Sequence, residues 1–505
     1  MENIGEYEVV VLGGGPAGCA AATLLARRSH RVALVRPITA PAAALAESIP
    51  PSAQKLFDEL GVFEAVQKAG FFANRGNTVW WAGREVRRES FAEDHAGFHV
   101  DRAGLETVLV AQASEVGVRV YDGWTARSAE ESAGGWCVRC VGAEGEDIEL
   151  RARWVLDATG RHGFLARREG RLADRSTTTL ALVRQWRKQG GWPGVDASHT
   201  LVESYDDGWA WSVPLSVDVR CYTAMVDHRE SDLEGADVEA LLDAELDKTA
   251  NLGATRAGAE PVGAAWACPA SLYTATKFGR PGLLLVGDAG SAIDPLSSFG
   301  VKKALSSGWL AAVVTHTALT DSEMTDTAVD FFDAREREVY VRYRRTSAAF
   351  FAEAAAKHGT SYWSKRAAAA KHAGDGTSRT TGGDPDRVGP PDIPEEDIRA
   401  AFDRIRTRDF LGARPGSTLR TFRRAGIDGY RIVLQDHLAS DPYPEGLRYA
   451  RSVDLRHLVE IAPLHEDVPD GWAAYNKAAS PVTLPDYLSA LATAFAVGFL
   501  EHTDG

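Results

Sequence analysis

Gly13-Gly14-Gly15-Pro16-Ala17-Gly18 follows the apolar run Glu8 to Leu12, opens a stretch of small residues from Ala17 to Arg28, and is succeeded by the run Arg31 to Val35. Read in order, these segments are strand, glycine turn, helix and strand, one βαβ unit. The G-x-G-x-x-G spacing gives each glycine a task. Gly13 permits the tight turn, Gly15 lets backbone approach a pyrophosphate, and Gly18 lets helix and strand pack closely. The helix behind Pro16 and Ala17 offers free N–H groups and its positive dipole end to phosphate. The bland alternative is a glycine turn with no ligand, but the strand-turn-helix context favours a dinucleotide site. One feature is missing. The acid expected about 20 residues further on, to hold a ribose, is replaced by Arg36, followed by Pro37. Arg36 is therefore expected to face adenine or phosphate.

Working outward, Leu283-Leu284-Leu285-Val286-Gly287-Asp288-Ala289 is an apolar strand ending in Gly-Asp. A carboxylate there can accept a hydrogen bond from the ribityl chain of a flavin. The turn and helix after it bring backbone N–H groups toward the same ligand. Between the two motifs stand Val100-Asp101-Arg102, opening a helix, and Val155-Leu156-Asp157-Ala158-Thr159-Gly160-Arg161. The rigid fork of Arg102 suits a phosphate; a surface arginine at a helix start is the plain alternative.

The bulk numbers exclude some functions. With 56 basic and 70 acidic residues the formal charge is −14, which argues against nucleic acid as a partner. Met1 to Tyr7 is acidic, unlike a signal peptide. The longest apolar run, Leu488 to Leu500, is too short to span a bilayer. No membrane association is expected, and the expected compartment is the cytoplasm. Five cysteines make no disulfide framework. Cys137 and Cys140 form a lone C-x-x-C inside a strand-like run, so no metal site is expected.

Residues 47 to 70 read as helix, 78 to 98 as β-rich, 103 to 115 as helix and 175 to 275 as strands. Helical runs follow at Val301 to Leu319, Ala328 to Arg345 and Ser347 to Ala370. The domain reading is a flavin-binding α/β domain over 1–365 with β-rich substrate-binding insertions at about 75–100 and 175–275. Residues 366–392 read as a linker or loop, Gly- and Pro-rich from 371 on. Residues 393–505 read as a C-terminal helical module, with helical runs at Glu395 to Arg406, Asp454 to Ile461 and Pro485 to Leu500.

The order of Gly13 to Gly18, Asp101-Arg102, Asp157 to Gly160 and Gly287-Asp288 resembles that of class A flavin monooxygenases, the p-hydroxybenzoate hydroxylase-like fold. Two further stretches resemble the flavin-dependent, tryptophan-type halogenases. Trp209-Ala210-Trp211-Ser212-Val213-Pro214 is similar to their W-x-W-x-I-P motif, and Glu47 to Lys55 is similar to the segment carrying their essential lysine, which falls on Lys55.

The resemblance implies an FAD-binding Rossmann-like domain with an inserted β-rich substrate domain. It implies FAD held by Gly13, Gly15, Pro16, Ala17, Gly18, Arg36, Glu47, Arg102, Asp288, Pro295, Gly300 and Val301, and a substrate wall of Trp209, Trp211 and Pro214. The implied chemistry is a flavin C4a-hydroperoxide attacked by chloride or bromide. The hypohalous acid then travels to Lys55 beside an electron-rich indole- or phenol-type ring. A lysine suits that role if an apolar pocket depresses its pKa. With no second G-x-G-x-x-G in the chain, a separate flavin reductase or free NAD(P)H is expected to reduce the flavin.

Three departures stand in the halide loop: Ala292 for a usual Phe, Ser297 where indole-acting members carry Glu, and Phe299 where a small residue is usual. Hydroxylation of an aromatic group, including tryptophan in a peptide or protein, stays open as the alternative. So do a flavin-binding maturation protein without turnover and a geranylgeranyl-reductase-like role. The C-terminal module is either a helical cap or a docking unit for a peptide- or carrier-bound substrate.

Overall fold

Val9, Val10, Val11 and Leu12 are at most 1% exposed, as a strand covered on both faces must be. In the computed structural model of the chain they end the central strand, Gly5–Leu12, of a parallel sheet. The structure describes residues 5–37, 45–92, 95–132, 134–173, 177–192, 194–227, 237–372, 393–407 and 411–503. On one side Gly5–Leu12 pairs in parallel with Val32–Arg36, which pairs with Arg119–Asp122. On the other it pairs with Asp147–Asp157, which pairs with Leu283–Leu285. Leu12 is level with Asp157, and Asp157 with Leu285. The glycine turn and Gly287-Asp288 therefore leave the sheet at the same carboxyl edge, where ligands of such sheets bind. The helices that follow them, Pro16–Ala26 and Gly300–Thr320, pack on each other. Gly308 permits this, since a Cβ there would meet the Ala17 carbonyl at 2.3 Å.

The two expected β-rich insertions form one sheet. Gly76–Trp80 and Arg87–Ser90 extend the array of His199–Tyr205, Gly208–Pro214, Val219–Asp227, Thr179–Arg187 and Glu260–Pro269. The join is the parallel pairing of His199–Tyr205 with Gly76–Trp80.

Several boundaries differ from the sequence reading. The helix expected over 47–70 is a strand, Ala46–Ile49, a turn, Pro51–Ala53, and two helices, Gln54–Leu60 and Phe63–Lys68. Pro50-Pro51 withholds amide donors, and Gly61 at φ 64° ends the first helix. Conversely, the expected break near Thr346 is absent. One helix runs Thr325–His358, stopped by left-handed Gly359, and a second runs Ser361–His372. Cys137 and Cys140 lie three apart in the strand Gly135–Val141 and so face opposite sides of it. Of the expected linker, 366–372 is helical and 373–392 lies outside the described residues.

The chain divides into two compact units at 376/377. The second closes its own core around Leu458, Tyr475, Tyr487, Leu491 and Phe499. The expected helical runs are present there as Glu395–Arg406, Leu455–Ile461 and Leu484–Ala496. They are joined by a helix, Val468–Ala478, and an antiparallel hairpin, Arg420–Asp428 with Arg431–Ala439, that the sequence reading had not anticipated.

Candidate functional site

The three glycines of the turn differ in what holds them. Gly13 has φ 105°, and a Cβ there would sit 2.2 Å from the Ala158 carbonyl. A Cβ on Gly18 would sit 1.9 Å from the Gly13 carbonyl. Both are fixed by the fold itself. Gly15 is not. Its φ of −76° and ψ of −177° suit any residue. The atoms nearest a Cβ there are Glu106 Oε1 at 3.6 Å and Arg102 Nη2 at 3.7 Å. Packing within the protein therefore does not require glycine at this position, and the space before Gly15 is open. Gly15 is also the N-cap of Pro16–Ala26 and supplies no side-chain acceptor, so the first N–H groups of the helix remain available.

Charged side chains frame this space. Arg36 lies against Gly14, where a Cβ would meet its Cδ at 2.8 Å, and pairs at 3.2 Å with Asp122, its register neighbour on the adjacent strand. The corner lacking a ribose acid on its own strand therefore holds a carboxylate from the next one. Sequence reasoning missed Asp122 because only strand register places it. Arg102 is half-buried and held in place by two carboxylates. Its Nη1 donates to Glu47 at 3.1 Å and its Nε to Glu106 at 3.2 Å, while Nη2 faces the Gly15 space. Burial pushes the Glu47 carboxyl up, against the pull of the Arg102 guanidinium. Asp101 caps the helix carrying Arg102 by accepting from Gly104 N at 2.7 Å. Ala17 touches Gly287: a Cβ on Gly287 would lie 2.8 Å from that of Ala17. This contact brings the Asp288 turn beside the glycine motif.

Beyond Asp288, Ala292 is 1% exposed in a short strand pairing with Tyr273. Asp294 caps the turn Pro295–Ser297, and Ser298 is left-handed at φ 54°. The side chain of Ser297 is not among those described. Phe299 packs on Tyr343, ring centroids 5.7 Å apart, in a cluster with Ile293 and Tyr340. Gly300 opens the next helix with no atom within 4 Å of a Cβ position, and Val301 is buried behind it. Lys302, 4% exposed, donates to Ser52 Oγ at 2.6 Å.

Burial pushes Asp294 up to about 6, against the pull of Leu296 N–H and then Arg366. A carboxyl raised on folding stabilises the native state below its unfolded pKa of about 3.9. That contribution is lost as pH rises through about 6. The apoprotein is therefore expected to lose thermal stability through this group between about pH 4 and 7. Asp294→Asn should flatten that limb of a melting-temperature profile against pH.

Trp209 and Trp211 share one face of Gly208–Pro214 and stack, centroids 5.0 Å apart at 28°. Trp209, 2% exposed, is core against Trp81, whereas Trp211 is partly exposed and shares its cluster with Leu296 of the loop just described. Pro214 closes the strand, buried. Lys55 is not where an apolar pocket would hold it. Phe57 and Leu60 take the buried face of Gln54–Leu60, and Lys55 is exposed.

The structure thus brings Gly13 to Gly18, Arg36, Glu47, Arg102, Asp288 and Gly300 to one cleft edge and leaves Lys55 facing solvent. Clear space at Gly15 and Gly300, uncapped helix N-termini and Arg102 Nη2 fit the pyrophosphate and ring of FAD.

A model of the tryptophan halogenase family matches residues 8–97 and 84–378. A tryptophan 2-halogenase of Chondromyces crocatus is 29% identical over 382 residues, 72% of this chain and 71% of that protein. A 1H-pyrrole-2-carbonyl-peptidyl-carrier protein chlorinase of Pseudomonas fluorescens is 24% identical over 341 residues, 61% of this chain and 75% of that protein. Among solved structures, the flavin-dependent halogenase CmlS superposes with a TM-score of 0.77 at 20% identity, covering 100% of this chain and 97% of that one. The peptidyl tryptophan dihydroxylase QhpG superposes at 0.65 and 22% identity, covering 93% and 95%. No described helix is long and apolar enough to cross a membrane.

Proposed function

The chain belongs to the tryptophan halogenase family, and from that premise we propose that it is an FAD-dependent halogenase acting on an electron-rich aromatic ring of indole or phenol type. The observation that carries the reading is the open space at Gly15, bordered by Arg102 Nη2 and Glu106 Oε1, with the turn bearing Asp288 held beside the same glycine motif by the contact of Gly287 with Ala17. When bound and reduced, FAD supplies the oxygen activation that oxidises chloride or bromide. The chain's own residues do the rest. The N–H groups behind Gly15 and the Arg102 fork hold the pyrophosphate, and Asp288 accepts from the ribityl chain. Arg36 and Asp122 hold the adenosine end. Trp211 lines the substrate wall beside Leu296, with Trp209 packed behind it. Phe299 is turned toward Tyr343, which leaves the Gly300 N-terminus clear for halide and ring. The family resemblance gives the relay role to Lys55, exposed on Gln54–Leu60, and a separate flavin reductase or NAD(P)H supplies electrons.

The test is product mass spectrometry with a flavin reductase, with and without bromide. A brominated product that disappears without halide supports the reading; undiminished formation of an oxygenated product in halide-free buffer overturns it. One observation favours hydroxylation as a second reading: Lys55 faces solvent, and a substrate that meets the activated oxygen directly requires no relay lysine.

The C-terminal unit is proposed to dock the substrate when that substrate is carried on a peptide or carrier protein, as the name of the Pseudomonas fluorescens relative records for that protein. Because the second unit closes its own core, a chain ending near Gly389 is expected to stay folded and bind FAD as tightly as the full chain. Turnover of a carrier-bound substrate should fall at least about tenfold while a free aromatic is still processed. FAD titration and product analysis check both arms. A flavin-free truncated protein would make the unit part of the fold instead.

A further inference from the structure

Lys303 is a buried cation that the flavin chemistry above does not use. It is 3% exposed and stands in the first turn of Gly300–Thr320, where the helix dipole disfavours positive charge. Burial disfavours it further unless every donor is matched. All three ammonium donors are matched, and all to one turn. Nζ donates to the Gly287 carbonyl at 3.1 Å, to the Ser291 carbonyl, and to Asp288 Oδ1 at 3.3 Å. One amine thus joins both ends of the Gly287–Ser291 turn and the carboxylate at its tip.

The turn is held from other sides as well. Tyr273 donates its hydroxyl to the Asp288 carbonyl at 2.6 Å, Arg171 donates to the Ala289 carbonyl at 3.3 Å, and Gly287 N donates to Ser307 Oγ at 2.8 Å. These three fix the backbone. Among the described residues, Lys303 is the group that donates to the carboxylate. Glu336, 3% exposed on the neighbouring helix, is a further acid facing Lys303. Glu47 and Glu106 are paired with Arg102. Asp288 keeps 33% of its side chain exposed while Lys303 keeps 1%, so the carboxylate bridges a buried cation and the open cleft.

We infer that Lys303 is a positioning residue for the flavin: it aims the Asp288 carboxylate at the ribityl chain and balances that carboxylate's charge beside the pyrophosphate. The inference rests on the FAD reading of this cleft and adds to it a residue outside the glycine and Gly-Asp motifs. It makes Asp288 and Lys303 one device, so their losses should not add.

The test is FAD affinity of the apoprotein, measured by flavin fluorescence, for the full chain and for Lys303→Met, Asp288→Asn, the double variant and Lys303→Arg. Lys303→Met and Asp288→Asn should each weaken binding by about 30-fold or more. The double variant should be no more than about threefold worse than the poorer single. Lys303→Arg, which keeps the charge, should recover affinity to within about fivefold of the native chain. Native affinity in Lys303→Met, or single losses that multiply in the double variant, overturns the inference. If Lys303→Met yields no folded apoprotein, Lys303→Gln decides the same point. Failure of both to fold makes the lysine a requirement of the fold and overturns it as well. Native protein that binds no FAD would instead sink the cofactor reading, so the two failures are told apart.

Discussion

Gly15→Val is expected to weaken FAD binding by at least about 100-fold while leaving the apoprotein folded. The geometry separates this glycine from its neighbours. A side chain at Gly13 or Gly18 would drive into backbone carbonyls at 2.2 and 1.9 Å, so substitution there damages the fold before any ligand is considered. At Gly15 the nearest protein atoms lie at 3.6 and 3.7 Å, in ordinary contact, and the backbone angles suit a β-branched residue. Valine therefore costs the protein little and fills the place the pyrophosphate must approach. Calorimetric titration with FAD alongside thermal unfolding of the apoprotein checks both halves. Retained affinity with an unchanged melting temperature would move the cofactor elsewhere.

Lys55→Ala is expected to lower halogenated product by about 100-fold or more, with flavin reoxidation running on as hydrogen peroxide release. If Lys55 is the relay, its loss uncouples oxidation of the flavin from modification of the ring. Because Lys55 is exposed on Gln54–Leu60, alanine should leave folding unchanged, so a fall in product reports chemistry. Peroxide yield measured beside product yield separates uncoupling from simple inactivation. Unchanged product in Lys55→Ala would assign the step to direct attack on the substrate. The buried amine of Lys302, which donates to Ser52 in the turn Pro51–Ala53 just before that helix, is the control. Lys302→Met should disturb that turn, and its effect on FAD affinity distinguishes it from a relay.

Much of the candidate cofactor site was legible because its rules are local. A β-branched run, a glycine turn and a run of small residues make strand, turn and helix within one stretch of chain, and Gly13 and Gly18 stand where only hydrogen fits. The Gly287-Asp288 motif was legible for the same reason, and the family model covering residues 8–97 and 84–378 bears out the family that these motifs suggested. The helix that hydrophobic spacing predicts over 47–70 is broken because Pro50-Pro51 withholds backbone donors and Gly61 takes a left-handed φ.

The sequence by itself determined the parallel flavin-type sheet, the positions of its two ligand turns, and the pairing of Trp209 with Trp211 on one strand face, because each follows from backbone geometry over a few residues. Only the tertiary structure decided which charges meet. Asp122 reaches Arg36 through strand register. Glu47 and Glu106 close on Arg102, the first of them from a strand remote in sequence. Lys303 reaches Asp288 because the helix Gly300–Thr320 folds back over its own turn. Lys55 faces outward because Phe57 and Leu60 claim the inner face of a two-turn helix. Ion pairs and helix facing depend on what packs alongside, and residue spacing carries no record of that.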